Sequence, residues 1–430
     1  MRRTLFIIPD SLWGIPIFGF GLLLAGIVMA FVVRMIWIGR SPTRQWTEEL
    51  RLNGLFWLVA MAAVAYVLPA VELRSIEGKL LGIAVRGYGI FLLTGAAAGL
   101  FLTLYRARKT EISADAIMGL AIWLCIGGIL GARLFYVIEY RDQFFTGNPL
   151  ADLLRVLDFT RGGLVVYGSI LGGSLALAAY CFRYRLPALR VGDLVIPALF
   201  LGLFFGRLGC LMNGCCFGGR CEESPFALHF PPGSPVYSRQ LESGELIGVE
   251  IENQRITRVV PKSLADQAGL QVGSRIARMQ LTLPPPSEQS STAEDDTRRS
   301  GVQWIVDDQP IEWTADQLPP VALAVLPAQI ISSLSGLAIC IFLLTLGKIA
   351  KNLPDGVLSA VGIATYAVAR FGEEIVRTDE PGQFGTGLSI SQWVSIIAFP
   401  LAVVGIFYLY WKRKRLQSRP SAAFPHPSSR

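Results

Sequence analysis

Two arginines stand inside long apolar stretches of this chain: Arg207 in "FFGRLGCLMNG" (204–214) and Arg370 in "YAVARFGEEIVR" (366–377). A guanidinium near the middle of a bilayer costs from about 3 to more than 10 kcal/mol, so a chain that keeps one usually supplies an anion or a wet cavity. Gly206 and Gly209 flank Arg207 and leave room for a second backbone or a bulky anionic group. Tyr366, Arg370, Glu374 and Arg377 are spaced by four, four and three, which puts them on one helical face. An internal Arg370–Glu374 pair is the purely structural account of that face. Two further stretches add polar groups. "TRGGLVVYGSILGG" (160–173) carries Arg161 and Tyr167, and "VRGYGIFLLTG" (85–95) with "GARLFYVIEY" (131–140) adds Tyr88 and Arg133. Guanidinium binds phosphate bidentately, and a low dielectric strengthens the attraction. Two buried arginines on different helices therefore suit a phosphate clamp, and the abundant phosphate of a membrane is a phospholipid head group.

Such residues need helices to hold them. Of 430 residues, 52% are hydrophobic and only 17% charged, which describes a polytopic membrane protein rather than a soluble one. Apolar runs long enough to cross the hydrocarbon lie near 14–38, 54–71, 88–105, 116–138, 162–182, 191–213, 327–347, 356–376 and 389–411, giving an all-α protein of about nine spans. The N-terminal "MRRTLFIIPDSLWG" reads as part of an uncleaved first helix. Basic residues follow every second span, so the positive-inside rule places those loops in the cytoplasm and the N-terminus outside. The net charge of +7 fits anchoring to anionic lipid, with no nucleic-acid partner expected.

The organisation expected is an accessory helix pair at 1–80, a core in two parts at 81–218 and 326–411, an extracytoplasmic insertion at 219–325, and a basic disordered tail at 412–430. Within the insertion, "VVPKSLADQAGLQVGSRI" resembles the core of a PDZ domain, and the PDZ-like part covers about 243–320. Seven cysteines, several inside spans, do not form a disulfide framework. The cluster "CLMNGCCFGGRC" has no paired C-x-x-C and no histidine beside its first three cysteines, so no metal and no cofactor is expected. No H-E-x-x-H exists for a membrane metalloprotease, and no intramembrane histidine accompanies a serine for a rhomboid-like one.

"RGGLVVYG", "GDLVIPALFLGLFFGRLGCLMNG", "SPFALHFPPGSPV", "LPAQI", "DGVLSAVGIATYAVARFGEEIVRTDEP" and "GLSISQWVS", in this order, resemble the prolipoprotein diacylglyceryl transferases over about 85–410. The resemblance implies a seven-helix core preceded here by two extra helices, in the bacterial inner membrane. It implies transfer of diacylglyceryl from phosphatidylglycerol to the lipobox cysteine of a prolipoprotein signal peptide, with release of glycerol phosphate. Arg207 stands at the family's signature arginine, Arg370 and Glu374 at the arginine and glutamate of the late helix, and Tyr88 at the tyrosine of the first core span. The expected catalytic residues are Arg207, Arg370 and Tyr167, and the expected lipid-binding residues are Arg207, Arg370, Tyr88, Gly209, Asn213, Glu374 and Arg161. Tyr167 replaces a family histidine, Cys215 a carboxylate and Leu326 a second histidine. Tyr167 and, through water, Glu374 are the candidates for the base. The alternative is a relative that binds lipid or precursor and turns over weakly.

Overall fold

The long helices are α1 (Leu22–Gly39), α2 (Gly87–Ala107), α3 (Ala114–Glu139), α4 (Val166–Arg183), α5 (Ala188–Asn213), α6 (Ala328–Ile349), α7 (Val357–Val376) and α8 (Ile390–Gln417). The computed structural model describes residues 4–40, 46–47, 54, 57–58, 60–71, 73–74, 80–145, 147–158, 163–221, 225–282, 301–350, 352–377, 382–383 and 385–417. Six of these helices are long and apolar enough to cross a membrane: α1, α2, α3, α5, α6 and α8. The other two sit where spans were expected but are more polar, α4 through its glycines, serines and tyrosines and α7 through Arg370, Glu373 and Glu374. The span expected at 54–71 is helical at its described residues 54, 57–58 and 60–71, with a π-helical stretch Ala63–Val67 running into a helical turn Leu68–Val71. Leu93, Ile122, Leu134, Val368 and Ile375 stay more than half exposed, as lipid-facing side chains do.

The chain divides into two units. One comprises residues 91–211, 216–219 and 326–430. In it α3 and α4 pack through Gly127, Gly131, Gly168 and Gly172, where an added methyl would strike the partner helix. Pro197 interrupts α5 and cannot donate to the carbonyl of Asp193 four residues earlier. Arg106, at the end of α2, fills that vacancy, its Nη1 donating to Asp193 O at 2.9 Å and to Leu194 O at 2.6 Å. The Asp193 carboxylate meanwhile accepts from Gly356 N, Ser359 N and Ser359 Oγ at 2.6–2.8 Å and so caps the start of α7. Phe200, Ile339, Cys340, Leu343 and Leu358 form the apolar core between α5, α6 and α7.

The other unit comprises residues 1–90, 212–215 and 220–325. Its N-terminal stretch is not helical: Thr4–Ile8 is a strand paired antiparallel with Leu80–Arg86, and α1 begins only at Leu22. Pro9 and Pro16 forbid a continuous helix here, and β-branched Ile7 and Ile8 suit a strand. The expected strands of the insertion are present as hairpins Val249–Glu252/Arg255–Val259 and Gly301–Val306/Gln309–Trp313, with Ile276–Thr282 pairing on Gly301–Val306. Both hairpins turn on two residues of positive φ, Asn253-Gln254 and Asp307-Asp308. Ile247, Val249, Ile256, Trp304 and Val306 make the core. Tyr237, on helix Pro235–Glu242, donates its hydroxyl to Pro319 O at 2.9 Å, and burial pushes its pKa up to about 12.

Candidate functional site

α7 brings the polar face read from the sequence into a buried place. Arg370 is 9% exposed and Glu374 6%, and the two form an ion pair along the helix. The pair does not use up either partner. Arg370 Nη2 donates to Ser391 Oγ at 2.8 Å, and Ser391 Oγ shares a hydrogen bond with the Tyr167 hydroxyl at 3.1 Å. Glu374 Oε1 is buried without a hydrogen bond among the described residues. An arginine, a serine and a phenol from α7, α8 and α4 thus form one chain, along which the guanidinium charge polarises the phenolic oxygen.

Each link has a local cause. "SISQ" (389–392) is a capping box: Gln392 N donates to Ser389 Oγ at 3.2 Å and Ser389 N to Gln392 Oε1 at 3.0 Å, fixing Ser391 in the first turn of α8. Tyr167 opens α4 after a segment that Arg133 holds down. Arg133 is 5% exposed and donates to the carbonyls of Val156, Arg155, Asp158 and Gly163 at 2.8, 2.8, 2.7 and 3.3 Å, with Tyr136 and Phe144 beside it. Gly163 has φ +81° and its Cα lies so close that a methyl would sit 2.8 Å from Arg133 Nη1, so this position requires glycine.

Arg207 lies on α5. The Tyr366 ring packs on Phe200, with centroids 5.6 Å apart, and its hydroxyl is within electrostatic range of Arg207, Arg370, Glu373 and Tyr167. Among the described residues Arg207 has no hydrogen-bond or ion-pair partner. Next to it, a methyl on Gly206 would meet nothing within 4 Å, and Gly209 is buried.

The expected residues are therefore distributed as follows. Arg207, Arg370, Glu374, Tyr167 and Gly209 belong to the same unit; Arg370, Glu374 and Tyr167 are linked through the ion pair and Ser391, and Arg207 lies within electrostatic range of the Tyr366 hydroxyl, as Arg370 and Tyr167 do. Tyr88 and Asn213 belong to the other unit, where Gly87 packs closely on Met212. Arg161 lies outside the described residues. Tyr366, read from the sequence on the same face as Arg370, joins the site, as do Ser391 and Glu373, which were not placed there from sequence. The capping box was a usable signal for Ser391, and the four-residue step to Arg370 for Tyr366. Cys210 and Cys216 have Sγ atoms within 4.8 Å of each other.

The profile of the prolipoprotein diacylglyceryl transferase family matches residues 77–411. The chain is 38% identical, over 96% of its length and 90% of the relative's, to the phosphatidylglycerol–prolipoprotein diacylglyceryl transferase of Rhodopirellula baltica. It is 26% identical to the enzyme of that name from Paraburkholderia phytofirmans, over 79% of this chain and 93% of the relative. A Clostridium perfringens protein of the same name, numbered 2, is 25% identical over 75% of this chain and 91% of its own.

Proposed function

The chain belongs to the prolipoprotein diacylglyceryl transferase family, and from that premise we propose that it moves the diacylglyceryl group of phosphatidylglycerol onto the lipobox cysteine of prolipoproteins. The sulfur of the precursor attacks the glycerol carbon, a thioether forms, the carbon–oxygen bond to phosphate breaks, and glycerol phosphate leaves with the electron pair. Negative charge develops on the departing phosphate. Arg207, whose donors no described residue takes, and Arg370 are the groups that stabilise it.

The thiol proton must go to a base. Glu374, with a carboxylate oxygen left over, takes it through water, and Tyr167, held by Ser391, is the other candidate in its phenolate form. The observation that carries the proposal is the Arg370–Ser391–Tyr167 chain, which shares with Arg207 the electrostatic range of the Tyr366 hydroxyl. The enzyme works in the bacterial inner membrane, with its N-terminus and the 219–325 insertion on the outer side. There the PDZ-like part receives the incoming precursor.

Purified protein in phosphatidylglycerol liposomes, given a lipobox peptide, is expected to yield the thioether product by mass together with free glycerol phosphate. Retention of lipid without either product would favour the weakly catalytic relative, since Tyr167 and Cys215 stand where the family has a histidine and a carboxylate. Deleting 243–320 is expected to raise the peptide KM; unchanged turnover over a panel of precursors would remove the docking role.

A further inference from the structure

Glu373 is 8% exposed beside Glu374 yet takes no part in the Arg370–Ser391–Tyr167 chain. Its carboxylate accepts hydrogen bonds from two hydroxyls nearly one turn apart on α6, Ser332 Oγ at 2.6 Å and Ser335 Oγ. Ser332 is itself 1% exposed, so the carboxylate sits in the interior of the helical unit. A neutral acceptor could hold the same two serines without desolvating a charge. A reason to keep the carboxylate is therefore its charge.

Counting charges shows where one is needed. Arg370 is answered by Glu374, whereas Arg207 has no ion-pair partner among the described residues. Glu373 lies three residues from Arg370 on α7, and Ser333, between the two serines that hold it, donates its hydroxyl to Phe204 O at 3.0 Å, three residues before Arg207 on α5. Both Glu373 and Arg207 are also within electrostatic range of the Tyr366 hydroxyl. Two guanidinium groups and two carboxylates leave the set neutral.

We propose that Glu373, held by Ser332 and Ser335, is the charge-balancing residue for Arg207, and that it weakens the hold on phosphate enough for the glycerol phosphate product to leave. It acts through the field at Arg207 and touches no reacting atom, so it is a positioning rather than a catalytic residue. The inference rests on the phosphate role proposed above for Arg207. The product is a phosphate monoester carrying close to two negative charges, against one on the phosphodiester substrate, so an added positive charge tightens the product more than the lipid.

The test is glycerol phosphate inhibition of transfer in phosphatidylglycerol liposomes. Glu373→Gln is expected to lower the inhibition constant about tenfold and the lipid KM about threefold while kcat falls, a split that a loss of folding does not produce. Glu373→Asp, which keeps the charge, is expected to hold the inhibition constant within about twofold of wild type. Arg207→Ala is expected to raise it. Where the glutamine variant does not fold, Glu373→Ser removes the charge with a smaller neutral acceptor and gives the same reading. An inhibition constant unmoved by the neutral variants but raised by Arg207→Ala overturns the role of Glu373 alone. Indifference to every substitution overturns the phosphate role of Arg207 and this inference with it.

Discussion

Arg133 and Arg207 are both arginines among apolar residues of long helices, and the two regions treat them in opposite ways. Around Arg133 the chain turns four backbone carbonyls inward and lays two aromatic rings beside the guanidinium. Around Arg207 no described residue accepts a hydrogen bond, and the adjacent Gly206 faces open space. The first arginine ties down the segment that leads into Tyr167; the second is left with its donors to give. An arginine in an apolar helix thus points to a ligand only when the protein does not itself consume its donors.

The comparison can be broken at several places. The largest effect is expected from Arg370→Ala, which strands a buried Glu374 and costs about 3–5 kcal/mol of stability, read as a lower thermal midpoint in detergent. Arg370→Met with Glu374→Leu is expected to restore the midpoint without restoring transfer; recovery of both would make the pair structural only. Next comes Arg133→Ala, which removes four part-buried charged hydrogen bonds and should lose about 2–3 kcal/mol. A midpoint that does not move would erase the contrast between the two arginines. Ser391→Ala cuts the link between Arg370 and Tyr167 and is expected to lower kcat/KM about tenfold, near the 1.5 kcal/mol of a charged hydrogen bond, with the midpoint held.

The smallest effect lies in the insertion, which serves as the control region. The folded-state pKa of Tyr237 is raised to about 12, so its contribution is fully present below the ordinary tyrosine range near 10 and is lost as pH rises toward 12. Tyr237→Phe is expected to cost about 1 kcal/mol at neutral pH and to flatten that alkaline loss, followed by intrinsic fluorescence. An alkaline midpoint identical in both proteins would show that burial of the Tyr237 hydroxyl contributes nothing to the alkaline loss.

Much of this was legible in the sequence because the signals were periodic. Apolar runs located the long helices to within a few residues for most spans, and the four-residue steps from Tyr366 to Arg370 to Glu374 gave one face of α7. What escaped depends on partners far apart in the chain. Ser391 looks like any helix-opening serine until α4 and α7 set Tyr167 and Arg370 on either side of it. Glu373 looks like the neighbour of a paired glutamate until α6 offers it two hydroxyls. The first strand was missed because "TLFII" is as apolar as a helix, and only pairing with Leu80–Arg86 decides between them. Residues 412–417, expected in a basic tail, are the last turns of α8. Arg133, which the sequence offered only as a polar residue near a helix end, is shown by its bonds to be an anchor.

The most direct test of the account compares transfer by wild type, Arg207→Ala and Arg133→Ala in phosphatidylglycerol liposomes, at equal amounts of folded protein. The account predicts that Arg207→Ala loses about 100- to 1,000-fold in kcat/KM with an unchanged thermal midpoint, whereas Arg133→Ala loses its midpoint first. Transfer by Arg207→Ala within a few-fold of wild type would contradict it, because the donors that the protein leaves unclaimed would then have no phosphate to hold.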